Sequence, residues 1–200
     1  MIIEAVDSSR PEKVREIADL HLRAFPGFFL SQLGIHFLRA LYEGYLEDED
    51  SGLLVAEDGG AVVGFVAYSF DYSGFYRMLM RRHAVKFALC ASTAVVRHPS
   101  IIGRLFGAFG KSESVARDEK YVELASICVD PSCEGKGIGS ALIESLIDLV
   151  DFDYYQYICL ETDASNNDRA NAFYEKNDFK LERKYQTKQG RLMNEYRYYK

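Results

Sequence analysis

The sequence predicts an α/β fold in which one mixed, twisted sheet is flanked by helices. Short apolar runs of strand length alternate with apolar stripes at helical spacing. Turns containing glycine or proline separate these elements, and strands and helices alternate toward the C-terminus. The chain has 200 residues, 48% of them hydrophobic, which suits a single domain over residues 1–200 with a sizeable core.

The N-terminal part is predicted to form a strand, two helices and two further strands. They are placed at residues 1–6, 11–25, 31–46, 53–57 and 61–69. Pro11 favours a helix start, because the first turn does not need the N–H group that proline lacks. The tripeptide Asp58-Gly59-Gly60 is typical of the tight turn of a β-hairpin.

The C-terminal part is predicted to form a strand, a helix, a strand, a helix and a final pair of strands. They are placed at residues 121–129, 139–150, 157–162, 167–176, 181–186 and 192–198. The last two strands form a hairpin across Lys188-Gln189-Gly190. This hairpin is a candidate for pairing between two subunits, so a homodimer is one expected assembly.

Residues 71–120 are predicted to be a basic helical insertion between the hairpin and the following strand. Residues 72–112 contain no Asp or Glu, whereas the whole chain has a net charge of -6. Two or three short helices are expected, at about 74–91 and 99–109. Three interpretations are open: a packed subdomain with a solvated basic face, a lid whose Arg77, Arg81 or Arg82 binds an anionic acceptor, or docking at an anionic membrane surface.

Composition also argues against several classes of protein. The first residues lack the pattern of a secretory signal, and no uncharged apolar run is long enough to cross a bilayer, so a cytoplasmic location is expected. The four cysteines form no CxxC pair, so neither a metal site nor a disulfide framework is expected. The acidic net charge outside the insertion argues against nucleic acid as a partner.

A glycine-rich turn lies between a predicted strand and a predicted helix. Its residues are Gly135, Lys136, Gly137, Ile138, Gly139 and Ser140. A helix N-terminus presents free N–H groups and partial positive charge, and glycine allows close approach of an anion, so this turn is interpreted as a phosphate site. It matches neither the nucleoside-triphosphate loop, which ends Gly-Lys-Ser/Thr, nor the GxGxxG dinucleotide fingerprint.

Three separate segments together resemble the GCN5-related N-acetyltransferase (GNAT) family. They read Glu-Leu-Ala-Ser-Ile-Cys-Val-Asp-Pro at 123–131, Gly-Lys-Gly-Ile-Gly-Ser-Ala-Leu at 135–142, and Asn-Asp-Arg-Ala-Asn-Ala-Phe-Tyr-Glu-Lys-Asn-Asp-Phe at 167–179. The resemblance implies a mostly antiparallel sheet and acetyl-CoA as cosubstrate. The chain departs from the family pattern at Glu134, where Gln or Arg is usual, and at Asp178, where Gly is usual. Lys136 is expected to offset the charge of Glu134.

The resemblance also implies roles for individual residues. The backbone of Ile127, Cys128 and Val129 would bind the pantetheine arm of the cosubstrate. The turn from Gly135 to Ser140 would bind its pyrophosphate, and the side chain of Asn167 would contact the pantetheine or the adjoining phosphate.

Two residues are the main candidates for proton transfer. Tyr174 matches the family position whose phenol protonates the departing thiolate; the competing interpretation is a core tyrosine whose hydroxyl is bonded locally. Glu123 lies on an otherwise apolar strand and is the candidate base. The competing interpretation is that its carboxylate lies at a solvated strand end or pairs with an arginine. Glu161, on the following strand, is the alternative base.

The predicted function is direct transfer of acetyl from acetyl-CoA to a primary amine of a small molecule. The basic insertion favours an anionic acceptor such as an amino sugar. The alternatives are a non-catalytic domain that binds or senses acyl-CoA, and an acetyltransferase acting on protein N-termini or lysines.

Overall fold

The computed structural model describes residues 1–97, 119–187 and 190–200. In these residues seven strands form one sheet, in the order β1-β2-β3-β4-β5-β7-β6. The strands are β1 Ile2–Ala5, β2 Ser51–Asp58, β3 Ala61–Ser69, β4 Tyr121–Val129, β5 Tyr157–Asp163, β6 Lys180–Gln186 and β7 Leu192–Tyr198. Among these seven described strands only β4 and β5 pair in parallel, so the sheet is mixed and mostly antiparallel, as predicted.

The helices of the described residues lie on both faces of the sheet. They are α1 Pro11–Ala24, α2 Phe29–Gln32, α3 Ile35–Glu47, α4 Tyr72–Arg97, α5 Ile138–Leu149 and α6 Asp168–Lys176, with a 3-10 turn over Pro131–Cys133. None of these helices has both the length and the apolar character needed to cross a bilayer.

Two helix boundaries differ from the prediction. The helix expected at 31–46 is two helices, because Gly34 adopts a φ of 86° that a continuing helix does not allow. The helix expected at 74–91 is longer and forms α4, Tyr72–Arg97. The second helix predicted in the insertion and the turn at Lys188 and Gln189 lie outside the described residues.

The sheet separates two apolar cores, because successive side chains of a strand point to opposite faces. On β2, Leu53 and Val55 pack with α1, α3 and α4, whereas Leu54 and Ala56 pack against α5. Cys128 and Cys159 are buried small residues of the sheet, as predicted.

The parallel pairing of β4 with β5 is short, and this opens a gap in the sheet. Its ladder contains three residue pairs: Tyr121 with Tyr157, Val122 with Ile158, and Glu123 with Cys159. Beyond Glu123, and within the part of the chain that the structure describes, β4 remains paired with β3 only, and β5 with β7 only. The register between β3 and β4 also shifts at Ala67 and Tyr68, and such a bulge bends the strand. A cleft therefore lies between residues 124–129 of β4 and residues 160–163 of β5, where the two strands no longer pair.

Candidate active site

The cleft has an unpaired backbone edge on β4. Ile127, Cys128 and Val129 pair with β3 on one side and, within the described residues, have no strand partner on the side of β5. Backbone N–H and C=O groups at such an edge accept an extended ligand as they would a further strand. The edge therefore suits the amide groups of a pantetheine arm.

The glycine-rich turn lies between β4 and the N-terminus of α5. Gly135 and Gly137 have φ values of 76° and 79°, which glycine adopts without steric cost. Gly137 is the N-cap of α5 and supplies no side-chain cap, so the first N–H groups of this helix remain available to an anion. The predicted phosphate site thus has the backbone geometry that an anion requires.

Gly139 meets a different requirement from the other two glycines. A Cβ atom placed on it would lie 3.0 Å from two ring atoms of Phe173 on α6. Gly139 therefore allows α5 and α6 to approach closely. The sequence does not distinguish this packing role from the phosphate-binding role predicted for all three glycines, because contacts between helices distant in sequence leave no local pattern.

Glu134 is neutralised by a residue that the sequence analysis missed. Its Oε2 lies 2.7 Å from Nη2 of Arg169 on α6, whereas Nζ of Lys136 lies 3.7 Å from Sγ of Cys133. The expectation that Lys136 offsets Glu134 was therefore wrong. Arg169 lies two residues after Asn167, in the segment that carries the family resemblance, and this position in the sequence is the signal that could have found it.

Asn167 lies at the N-terminus of α6. Its Nδ2 donates to Oγ1 of Thr162 at 2.7 Å and to the carbonyl oxygen of Asp163 at 3.2 Å. These bonds attach the start of α6 to the end of β5. Asn167 is thereby held at the mouth of the cleft, beside the Glu134–Arg169 pair.

Tyr174 lies on the face of the sheet that α5 and α6 cover. Its ring packs against Phe173, Phe179 and Tyr196, with ring centroids 5.4–6.0 Å apart. Burial raises the pKa of Tyr174, so the phenol carries its proton at neutral pH. Burial is the one resolved cause of this shift, and no hydrogen bond from its hydroxyl to another described residue is seen.

Glu123 lies at the apex of the cleft, on the opposite face of the sheet. It is partly buried and stands in register with Ser69 and Cys159. Burial raises the pKa of Tyr45, Tyr72 and Tyr76, and the negative charge of Glu123 raises each of them further. The carboxylate therefore faces α3 and the first turns of α4.

Glu161 lies on the same face as Glu123, two residues beyond Cys159 on β5. Tyr185 of β6 donates a hydrogen bond to it, and the pKa of Tyr185 is raised by burial and by this carboxylate. Directly opposite on β7 is Glu195, which is fully buried and bonded by Nε of Arg183 at 2.7 Å and Nε of Arg197 at 2.9 Å. Glu195 does not stand out in the sequence, since the alternation along β7 accounts for its neighbours as sheet packing.

Arg77 and Arg81 lie on the exposed side of α4. The side chain of Arg77 is 71% exposed and lies 3.8 Å from Asp71, and Arg81 is also exposed. The side of α4 that faces Glu123 carries Tyr72 and Tyr76 instead. The structure therefore does not bring the two arginines to the cleft.

A cleft between splayed parallel strands, with a helix N-terminus at its mouth, defines a site for an extended ligand bearing phosphate. The model of the acetyltransferase (GNAT) family matches residues 14–179. The chain therefore belongs to the acetyltransferase (GNAT) family, and acetyl-CoA is its acetyl donor.

Solved structures with the same fold are numerous, although a search of curated proteins finds no match. The ribosomal-protein-S18-alanine N-acetyltransferase from Escherichia coli is 16% identical, with a TM-score of 0.57 over 99% of this chain and 92% of that one. Arabidopsis thaliana NAA60 in complex with acetyl-CoA is 15% identical, with a TM-score of 0.57 over 99% and 97%. An N-acetyltransferase from Staphylococcus aureus is 18% identical, with a TM-score of 0.59 over 99% and 97%. At these identities the similarity concerns the fold.

Proposed function

We propose that this chain is a single-domain N-acetyltransferase that transfers acetyl directly from acetyl-CoA to a primary amine of a small molecule. The observation that carries the proposal is the arrangement of Tyr174 and Glu123. Tyr174 packs on the face covered by α5 and α6, whereas Glu123 lies on the opposite face, at the last residue pair before β4 and β5 separate. A thioester held in the gap is thus accessible to an acid from one face and to an amine from the other.

The chain's own groups hold the cosubstrate in this arrangement. The N–H groups at the start of α5, from Gly135 to Ser140, bind the pyrophosphate. The free edge of β4 at Ile127, Cys128 and Val129 binds the pantetheine amides, and Asn167 contacts the same arm at the mouth of the cleft.

Glu123 and Tyr174 move the protons of the reaction. Glu123 accepts the proton that the ammonium group of the acceptor must lose before its nitrogen can attack. The nitrogen forms a bond to the carbonyl carbon, and the C–S bond then breaks. As the C–S bond breaks, the nitrogen releases its second proton to the solvent and Tyr174 gives its proton to the departing sulfur, so the products are an acetamide and the CoA thiol. The phenol then regains a proton from the solvent. Glu161, held by Tyr185, is the second base candidate.

Calorimetric titration with acetyl-CoA tests the proposal, using a matched pair of glycine variants. Gly137 and Gly60 have φ values of 79° and 84°, and at both a Cβ would meet no atom within 4 Å. Gly137→Glu is expected to weaken binding at least 100-fold, because it places a carboxylate in the phosphate site. Gly60→Glu imposes the same backbone strain on the hairpin and is expected to bind as the wild type does. Equal binding by the two variants would contradict the assigned phosphate site.

A panel of amines then identifies the acceptor by release of CoA thiol. The panel contains amino sugars, polyamines, amino acids and peptides with a free N-terminus. A lower KM for amines that carry a phosphate or carboxylate group than for neutral amines of similar size would indicate an anionic acceptor. Tight acetyl-CoA binding without thiol release for any amine would favour the acyl-CoA-sensing alternative.

A further inference from the structure

Helix α6 contacts the rest of the molecule through two partly buried rings and through several polar side chains. None of its residues is fully buried, whereas α5 buries Ile138, Leu142, Ile143 and Leu146. Phe173 and Tyr174 of α6 are only partly buried. Helix α6, which follows Asn167 and carries the proposed acid, thus has less buried apolar surface than α5, and its polar contacts supplement the ring packing of Phe173 and Tyr174.

Two asparagines connect α6 to strands β5 and β7. Nδ2 of Asn171 donates to the carbonyl oxygen of Asp163 at 3.1 Å and to that of Asn167 at 2.8 Å. Nδ2 of Asn194, on β7, donates to Oδ1 of Asn171 at 2.8 Å. Asn171 is thus bonded at once to its own helix, to the end of β5 and to β7.

Asn194 is placed there at a cost in stability. It is 4% exposed, and its Oδ1 has no hydrogen-bond partner within the described residues. A buried acceptor without a donor opposes folding, and an apolar side chain of similar size would avoid that penalty. What Asn194 provides in return is a directional bond to Asn171, which an apolar side chain would not supply.

We propose that Asn171 and Asn194 form a positioning pair that sets the depth and rotation of α6 against β5 and β7. The pair thereby places Tyr174 and Asn167 along the cleft, so the inference rests on the proposed function. Directional bonds restrict rotation of a helix in a way that nondirectional apolar contacts do not. A displacement of about 1 Å at a reacting group is enough to reduce a rate about 100-fold.

Steady-state kinetics of Asn171→Ala and Asn194→Ala test the pair, with Asn177→Ala as the matched control. Asn177 lies at the C-terminal end of the same helix, and its Nδ2 donates to the carbonyl oxygen of Phe173 at 2.7 Å, within its own turn. Each variant of the pair is expected to lower kcat at least tenfold, with the KM for the acceptor changed less than twofold. The double variant should be no slower than the slower single variant, because the two residues act through one bond. All assays are run well below the lowest melting temperature.

Hydrogen exchange measured by mass spectrometry supplies a readout that does not depend on activity. Asn171→Ala is expected to accelerate exchange of the α6 amides at least fivefold and to leave those of β2 and β3 unchanged. Unaltered α6 exchange, or a kcat within twofold of the control, would overturn the positioning role. A wild type that releases no CoA thiol with any amine would instead overturn the proposed function, whatever the exchange result.

Discussion

Helices α3 and α6 have comparable places in the fold, yet they are held by different forces. Helix α3 buries seven residues, among them Phe37, Leu38 and Tyr42, against the sheet and neighbouring helices. Helix α6 buries none and is joined to the sheet by amide hydrogen bonds. Many weak apolar contacts tolerate small shifts, whereas a few directional bonds specify a position. The first region therefore supplies buried apolar contacts that stabilise the fold, whereas the second holds the proposed acid Tyr174 on a helix joined to the sheet by directional bonds.

Tyr174→Phe probes the second region and is expected to give the largest effect. Removal of the proton donor should lower kcat by about 10²–10⁴-fold. Because the ring packing is retained, the melting temperature and the dissociation constant for acetyl-CoA should change little. Tyr198→Phe is the control, since Tyr198 packs on Phe152 and Phe179 without a role in the proposed chemistry. A kcat within threefold of this control would remove Tyr174 as the acid.

His21 probes the first region through the pH dependence of stability. It is 3% exposed and its Nδ1 lies 2.6 Å from the hydroxyl oxygen of Tyr42. Burial lowers the pKa of His21 from 6.5 to about 4. Between these values the unfolded chain binds a proton that the folded chain does not, so the free energy of unfolding falls as the pH falls. The total loss from this group is at most about 3 kcal/mol.

Urea unfolding of the wild type and of His21→Leu, at several pH values from 7.5 to about 4, measures this contribution. Carboxylates common to both proteins cancel in the difference between the two curves. That difference is expected to change between about pH 6.5 and about pH 4 and to be constant above about pH 6.5. A difference that does not vary with pH would mean that the pKa of His21 is the same in the folded and the unfolded chain.

Glu134→Gln tests the charge balance at the mouth of the cleft. The substitution removes a negative charge beside the phosphate site and releases Arg169 from its pair. Acetyl-CoA is expected to bind about 3- to 10-fold more tightly, by calorimetry at low salt. Since both side chains are largely exposed, the melting temperature should hardly change. Glu144→Gln, on the exposed side of α5, is the control, and equal affinity in the two variants would contradict this assignment.

Asp178→Gly is expected to give the smallest effect. Asp178 has a φ of 65°, the left-handed backbone that glycine adopts without steric cost. The variant should raise the free energy of unfolding by up to about 1 kcal/mol in urea unfolding. Asp153→Gly is the control, because Asp153 is not among the residues with positive φ and its replacement should lower stability. A lower stability of Asp178→Gly would show that the carboxylate matters more than the backbone strain.

Much of the fold was predictable, because hydrophobic periodicity and turn residues act locally. The strand over Tyr121–Val129 and the hairpin across Asp58-Gly59-Gly60 have the predicted positions. The break at Gly34 was missed, since the apolar stripe continues across it and only the φ of that residue interrupts the helix. The salt bridge of Glu134 was misassigned for a different reason. Its partner Arg169 is distant in sequence, and charge patterns do not reveal which cation lies nearest.

The sequence by itself determined the secondary structure, the glycine-rich turn and the membership of the family. Each depends on residues that are close along the chain. Only the tertiary structure decided that β4 and β5 part beyond Glu123, that Tyr174 and Glu123 lie on opposite faces, and that Asn171 meets Asn194. These features depend on strand register and on contacts between distant segments, which periodicity leaves open because many registers bury the same apolar side chains.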